Sequence, residues 1–122
     1  MKSIVKIICL LTLLCSTSCG DSNPPQLIIE SPIDGDAFTA GDTLTLLGNV
    51  TDDVQVDSLT FFSEGLLSGS LNINTASNLM DIDFFTEFII DSTVIRQDYR
   101  LEAKAYDNNE NETIVTVDFS VR

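Results

Sequence analysis

Asp107-x-Asn109-x-Asn111 places three oxygen-bearing side chains at alternate positions. Calcium takes roughly six to eight oxygen ligands at about 2.3–2.6 Å, and this spacing imitates the first three ligands of an EF-hand loop. The imitation stops at Glu112, which stands where such a loop requires glycine. A second acidic group, Asp52, Asp53 and Asp57, follows an apolar run upstream. Asp81 and Asp83 lie two apart within alternating apolar residues, so a strand would turn both carboxylates to one side. Two nearby carboxylates are the equipment of a glycosidase, but the alternation puts this pair on a solvated face. The chain has no histidine, and its three cysteines, Cys9, Cys15 and Cys19, fall near its start. The usual general base and the usual zinc ligand are therefore missing. No Ser-His-Asp or Cys-His engine can be assembled, and no glycine-rich phosphate loop is present. The sequence predicts a protein that is not an enzyme, with a hydrolase of unrecognised type as the remaining alternative from that class.

The elements around these residues start with an address. Lys2 and Lys6 precede the apolar run Ile7–Cys15, and small residues Ser16, Thr17 and Ser18 lead to Cys19. A basic start, an apolar core of about ten residues and a small-residue exit describe a secretory signal. A membrane-spanning helix would need about 20 apolar residues. Small residues before a cysteine that Gly20 follows resemble the lipobox of bacterial lipoproteins, although Ser16 stands where that family prefers leucine. The resemblance implies cleavage before Cys19 and acylation of that residue, giving a signal over 1–18 and a lipidated tether over 19–25. Cys9 and Cys15 leave with the signal, so the mature domain has no disulfide and no free thiol.

The whole chain carries −13, and the signal removes two lysines and no acid, which leaves −15. That balance opposes nucleic acid, whose affinity rests on cations neutralising phosphates. It suits an extracellular protein and cation binding. The tether Gly20-Asp21-Ser22-Asn23-Pro24-Pro25 reaches only about 20 Å when extended, so the domain sits close to its membrane.

After the tether the dominant period is two, the signature of strands. Leu27-Ile28-Ile29 starts a first strand, and Leu44, Leu46, Gly48 and Val50 share the inner face of a second. Leu59 and Phe61 face inward on a third, and Leu67, Gly69, Leu71 and Ile73 on a weaker fourth. The fifth directs Met80, Ile82, Phe84, Phe88 and Ile90 to one side and Asp81, Asp83 and Glu87 to the other. Tyr99, Leu101, Ala103 and Ala105 line the sixth, and Val115, Val117, Phe119 and Val121 the seventh. Seven short strands without a helix predict an all-β, two-sheet antiparallel sandwich.

The stretches "SPIDGDAFTAGDTLTLLGNVTDD" and "YRLEAKAYDNNENETIVTVDFSV" resemble bacterial immunoglobulin-like domains of extracellular proteins. The resemblance covers 26–122 and implies a seven-stranded immunoglobulin-like sandwich with Tyr99 as its corner tyrosine. Such domains commonly read D-x-x-G-N after their sixth strand, and here Glu110 replaces the glycine. The resemblance also brings the second-to-third and sixth-to-seventh strand loops to one end. Asp52, Asp53, Asp107, Asn109 and Asn111 then become candidate ligands of calcium held between two loops. Phe62 and Tyr106 are predicted on an outer sheet face beside Arg100 and Lys104, a candidate binding face for a surface protein or a glycan. The expectation is a lipoprotein anchored through Cys19, outside the cytoplasm on the outer membrane of a Gram-negative bacterium. It acts by binding or assembly, or as an accessory glycan-binding protein.

Overall fold

The computed structural model describes residues 23–72 and 79–122. The expected signal, Cys19 and Ile73 lie outside them. Among the described residues there are eight strands: β1 (Gln26–Ser31), β2 (Ala37–Phe38), β3 (Thr43–Thr51), β4 (Val56–Ser63), β5 (Leu67–Asn72), β6 (Asp81–Ile89), β7 (Asp98–Asp107) and β8 (Glu112–Val121). A three-stranded sheet in the order β1-β3-β6 packs on a five-stranded sheet in the order β2-β8-β7-β4-β5.

Alternation decides which side of each strand is buried. Leu44, Leu46 and Val50 of β3 lie against Leu59 and Phe61 of β4, Leu101, Ala103 and Ala105 of β7, and Val117, Phe119 and Val121 of β8. Phe84 closes the middle of this core, its ring 5.6 Å from that of Phe61. Apolar side chains at every second residue of two facing sheets bury enough surface to hold an antiparallel sandwich without a cross-link. Of the residues expected to face inward, Met80 departs: it precedes β6 and is 47% exposed. Its carbonyl accepts the Asp52 N–H at 3.0 Å, which ties it to the loop after β3.

The eighth strand, β2, is two residues long, too short to register as a period, and it pairs with β8 in parallel. The S-P-I-D-G-D turn accounts for it. Asp34 Oδ1 accepts the Asp118 N–H at 2.9 Å, Gly35 N donates to the Asp118 carbonyl at 2.9 Å, and the Asp36 carbonyl accepts the Ser120 N–H at 2.9 Å. The turn thereby carries the chain from β1, in one sheet, to β2, beside β8 in the other. The Gly41-Asp42 pair works similarly, with Asp42 Oδ2 accepting the Thr39 N–H at 2.9 Å before β3 begins. Tyr99 is buried and its hydroxyl donates to the Ile95 carbonyl at 2.5 Å, four residues upstream, as a corner tyrosine does.

Candidate functional site

Phe62, Arg100, Lys104 and Tyr106 all fall on the outer face of the five-stranded sheet, because β4 and β7 pair in register with Phe62 opposite Glu102, Thr60 opposite Lys104 and Ser58 opposite Tyr106. The four do not line a common hollow. Tyr106 lies four residues along the sheet from the Phe62 level, about 13 Å away. Phe62 and Arg100 line a hollow of about 460 Å³ with Glu64, Asp98, Tyr99 and Glu102. Lys104 and Tyr106 line neither it nor the neighbouring hollow of about 630 Å³, which Asp36, Asp98, Arg100, Asp118 and Arg122 border. The two hollows share Asp98, Tyr99 and Arg100 and so form one groove across the start of β7.

The groove is built by two turns and a strand end. The segment before β2 brings Asp36, the β4–β5 turn brings Glu64, and the start of β7 brings Asp98, with Gln97 just before it. No sequence signal marks these residues as neighbours, since they belong to segments far apart in the chain. Phe62 projects from the sheet and is 53% exposed. Arg100 and Lys104 are already engaged. Arg100 Nε donates to Asp118 Oδ1 at 2.7 Å and its Nη2 to Asp118 Oδ2 at 3.3 Å, while Lys104 Nζ lies 3.2 Å from Glu102 Oε1. The hydrogen bond from Arg100 holds the Asp118 carboxyl below its ordinary range, and Asp118 raises Arg100 in return. An acid held low keeps its charge until the pH falls through that lowered value, so the pair is intact at neutral pH and lost only in acid. Being solvent-exposed, it orders the groove wall more than it stabilises the fold.

The expected calcium ligands lie at the opposite end, where the chain enters the domain. Thr113 Oγ1 donates to the Pro25 carbonyl, and Asn23 Nδ2 donates to Asp53 Oδ2 at 3.1 Å. Asp52 Oδ2 accepts the N–H groups of Val54 and Gln55 at 3.0 and 2.9 Å. Asp52 Oδ1 is buried and takes no hydrogen bond among the described residues. Asp107 is 2% exposed. Its Oδ1 accepts the N–H groups of Asn109 and Asn111 at 2.9 and 2.8 Å, and its Oδ2 accepts Asn111 Nδ2 at 2.8 Å. The loops do meet, through the Asn108 N–H and the Gln55 carbonyl at 3.3 Å. Among the described residues no group of three acidic side chains converges as metal ligands would. The carboxylates of Asp52 and Asp107 cap their own loops, the ordinary work of aspartate in turns.

Glu110 adopts φ +67°, a left-handed backbone at the position where the sequence resemblance leads one to expect glycine. That conformation costs a residue with a Cβ about 1–2 kcal/mol. Glu110→Gly is expected to stabilise the protein by about 0.5–1 kcal/mol, the gain trimmed by glycine's greater freedom when unfolded. Urea melts of the two proteins check this; an unchanged or lower midpoint would count against it.

The model of a bacterial Ig domain matches residues 25–83. Among solved structures, the fibronectin(III)-like modules of Clostridium thermocellum CbhA share 20% identity at a TM-score of 0.60, over 79% of this chain and 94% of theirs. A Niemann-Pick type C2 protein from the Japanese carpenter ant shares 12% identity at a TM-score of 0.56, over 85% of this chain and 96% of its own. At these identities the likeness is one of fold alone. No curated protein matches the chain. Immunoglobulin-like and fibronectin III-like folds are typically non-catalytic, and bacterial Ig domains are usually extracellular or surface-exposed. Among the described residues no helix is long and apolar enough to cross a membrane. With two facing sheets and a corner tyrosine, the chain has the fold of an immunoglobulin-like β-sandwich, and its residues 25–83, from β1 to the start of β6, match the model of a bacterial Ig domain.

Proposed function

We propose that the protein is a lipid-anchored binding module without catalytic activity, held outside the cytoplasm, at the outer membrane of a Gram-negative bacterium, by acyl chains on Cys19. The observation that carries this reading is the placement of the groove. The chain enters the domain at Asn23–Pro25, beside the β3–β4 and β7–β8 loops. The groove lies at the other end of β4 and β7. With the few residues from Cys19 to Asn23 spanning at most about 20 Å, a lipid at Cys19 would hold the acidic loops toward the membrane and turn the groove away from it. More than one acyl chain makes such anchoring stable.

A ligand in this groove meets an exposed aromatic ring among polar side chains. An aromatic anchor ringed by hydrogen-bonding groups suits a surface protein. The same arrangement favours a second reading, a glycan whose apolar ring face lies on Phe62 while its hydroxyls meet Glu64, Asp98 and Glu102. The test has two arms. Cys19→Ala is expected to abolish fatty-acid labelling and release the protein from membranes. Phe62→Ala is expected to weaken capture on glycan and surface-protein arrays about tenfold or more without lowering the melting temperature, since the ring is exposed. Labelling that survives Cys19→Ala removes the anchor from the reading. Array binding that ignores Phe62→Ala moves the site off this groove.

A further inference from the structure

The three-stranded sheet presents a second surface. Its outer face carries Leu47 and Phe85 as a direct cross-strand pair, and Phe85 is 62% exposed. Ile89, at the end of the same strand, is 80% exposed. β6 has β3 on one side and, among the described residues, no strand on the other. A nine-residue strand at a sheet edge offers about 30 Å of backbone to an incoming strand. Such an edge invites aggregation unless something selects what pairs with it.

The selecting groups are on the strand itself. Asp81, Asp83 and Glu87 alternate with Phe85 and Ile89 on the outward face, and no cation lies among them. A second copy pairing antiparallel about Phe85 would set Asp83 against Glu87. Like charges directly opposite destabilise a strand pair, so the pattern rejects a copy of this chain and any acidic strand. The same charges favour a strand that brings cations to those three positions. We infer that the β6 edge takes an extended, basic segment of a partner protein as an added antiparallel strand. The segment carries Lys or Arg opposite Asp81, Asp83 and Glu87, and apolar side chains opposite Phe85 and Ile89. Main-chain pairing supplies the affinity in this mode, and the alternate side chains supply the choice. Asn49, opposite Asp83 on β3, donates through Nδ2 to Asp81 Oδ1 at 2.7 Å and to Asp83 Oδ1 at 2.8 Å, which holds both carboxylates on the outward face.

The test uses the full chain in detergent and a synthetic peptide, Val-Thr-Lys-Thr-Val-Thr-Lys-Thr-Lys, whose lysines meet the three acids in antiparallel register. Its partner probe has Glu for each Lys. Titration calorimetry is expected to show binding of the lysine peptide and none of the glutamate peptide. Asp83→Lys is expected to weaken the lysine peptide about tenfold, one attractive cross-strand pair becoming repulsive, and Phe85→Ala to weaken it as well. Ile114→Ala, on the outer face of the other sheet, is expected to change nothing. N-methylating one alternate set of peptide nitrogens, the set that would pair with β6, is expected to abolish binding, and the other set to spare it. Equal binding of the two peptides, binding of neither, or indifference to Asp83→Lys and Phe85→Ala overturns the inference. Tolerance of both N-methylated sets overturns the added strand.

Discussion

Gly48→Ala is expected to destabilise the protein by about 3 kcal/mol or more, although it adds one methyl group. Gly48 sits in β3, the central strand of the three-stranded sheet, opposite Ile29 on one side and Phe84 on the other. A Cβ there would collide with the Ile28 carbonyl oxygen and lie 2.6 Å from Phe84 Cζ. The phenyl ring lies over the bare glycine and continues into the core toward Phe61. Extra atoms in a well-packed core ordinarily cost about 1–3 kcal/mol. This site is at the upper end because one of the obstructing atoms is main chain and cannot rotate away. For a domain of this size, 3 kcal/mol lowers the melting temperature by more than about 12 °C. Adding Phe84→Leu should recover only part of the loss, since it removes the ring and leaves the carbonyl. A midpoint within about 1 kcal/mol of the parent protein would mean that β1 and β3 can part there at little cost.

Gly48 also marks what the sequence discloses and what it withholds. Its parity, between Leu46 and Val50, places it on the inner face, and the fold agrees. The reason for glycine is invisible, because it depends on which strands flank β3 and on the ring that crosses it. Alternation reports the buried side of a strand, not the identity of its neighbours. The same limit explains the groove. Phe62 and Arg100 are legible as outward residues of two strands, and Asp98 shares the parity of Arg100, whereas Glu64 and Asp36 join them only because two turns meet at the start of β7. It also explains why the expected face divides: Lys104 and Tyr106 share a side with Phe62 but lie farther along the sheet. The turn motifs were readable for another reason. Asp34, Asp42 and Asp52 each bond backbone within a few residues or fix one strand crossing, so local composition carries most of their meaning. β2 lacks any such mark, being two residues held by backbone bonds to β8.

Asp107→Asn is expected to cost about 3 kcal/mol in the absence of any divalent cation. Asp107 ends β7, opposite Val56 of β4, and is almost wholly buried. Its carboxylate accepts two main-chain N–H groups and the Asn111 side-chain amide. Its own N–H donates to the Asn111 carbonyl at 3.1 Å, which closes the β7–β8 turn. Hydrogen bonds to a charged acceptor contribute about 1.5–3 kcal/mol each, and a buried donor left without its acceptor costs about 1–3 kcal/mol. An amide replaces one oxygen with an NH2 group. That group faces N–H donors if it takes the place of Oδ1, or the Asn111 amide if it takes the place of Oδ2, so at least one buried contact becomes donor against donor. The bonds share one small loop, so the losses do not add in full. The loss would fall on the end of the domain where the chain enters, because Thr113, one residue into β8, holds the Pro25 carbonyl. Amide exchange should therefore quicken first in residues 107–113 and at the start of β1, while Leu101 and Phe61 stay protected. Denaturant melts in a chelator, repeated with millimolar calcium, separate two contributions. A loss of about 3 kcal/mol in chelator belongs to the hydrogen bonds alone. Any further gain that calcium gives the parent protein but not Asp107→Asn would belong to a bound cation. A melt in chelator that Asp107→Asn leaves unchanged would show that the turn stands without its carboxylate.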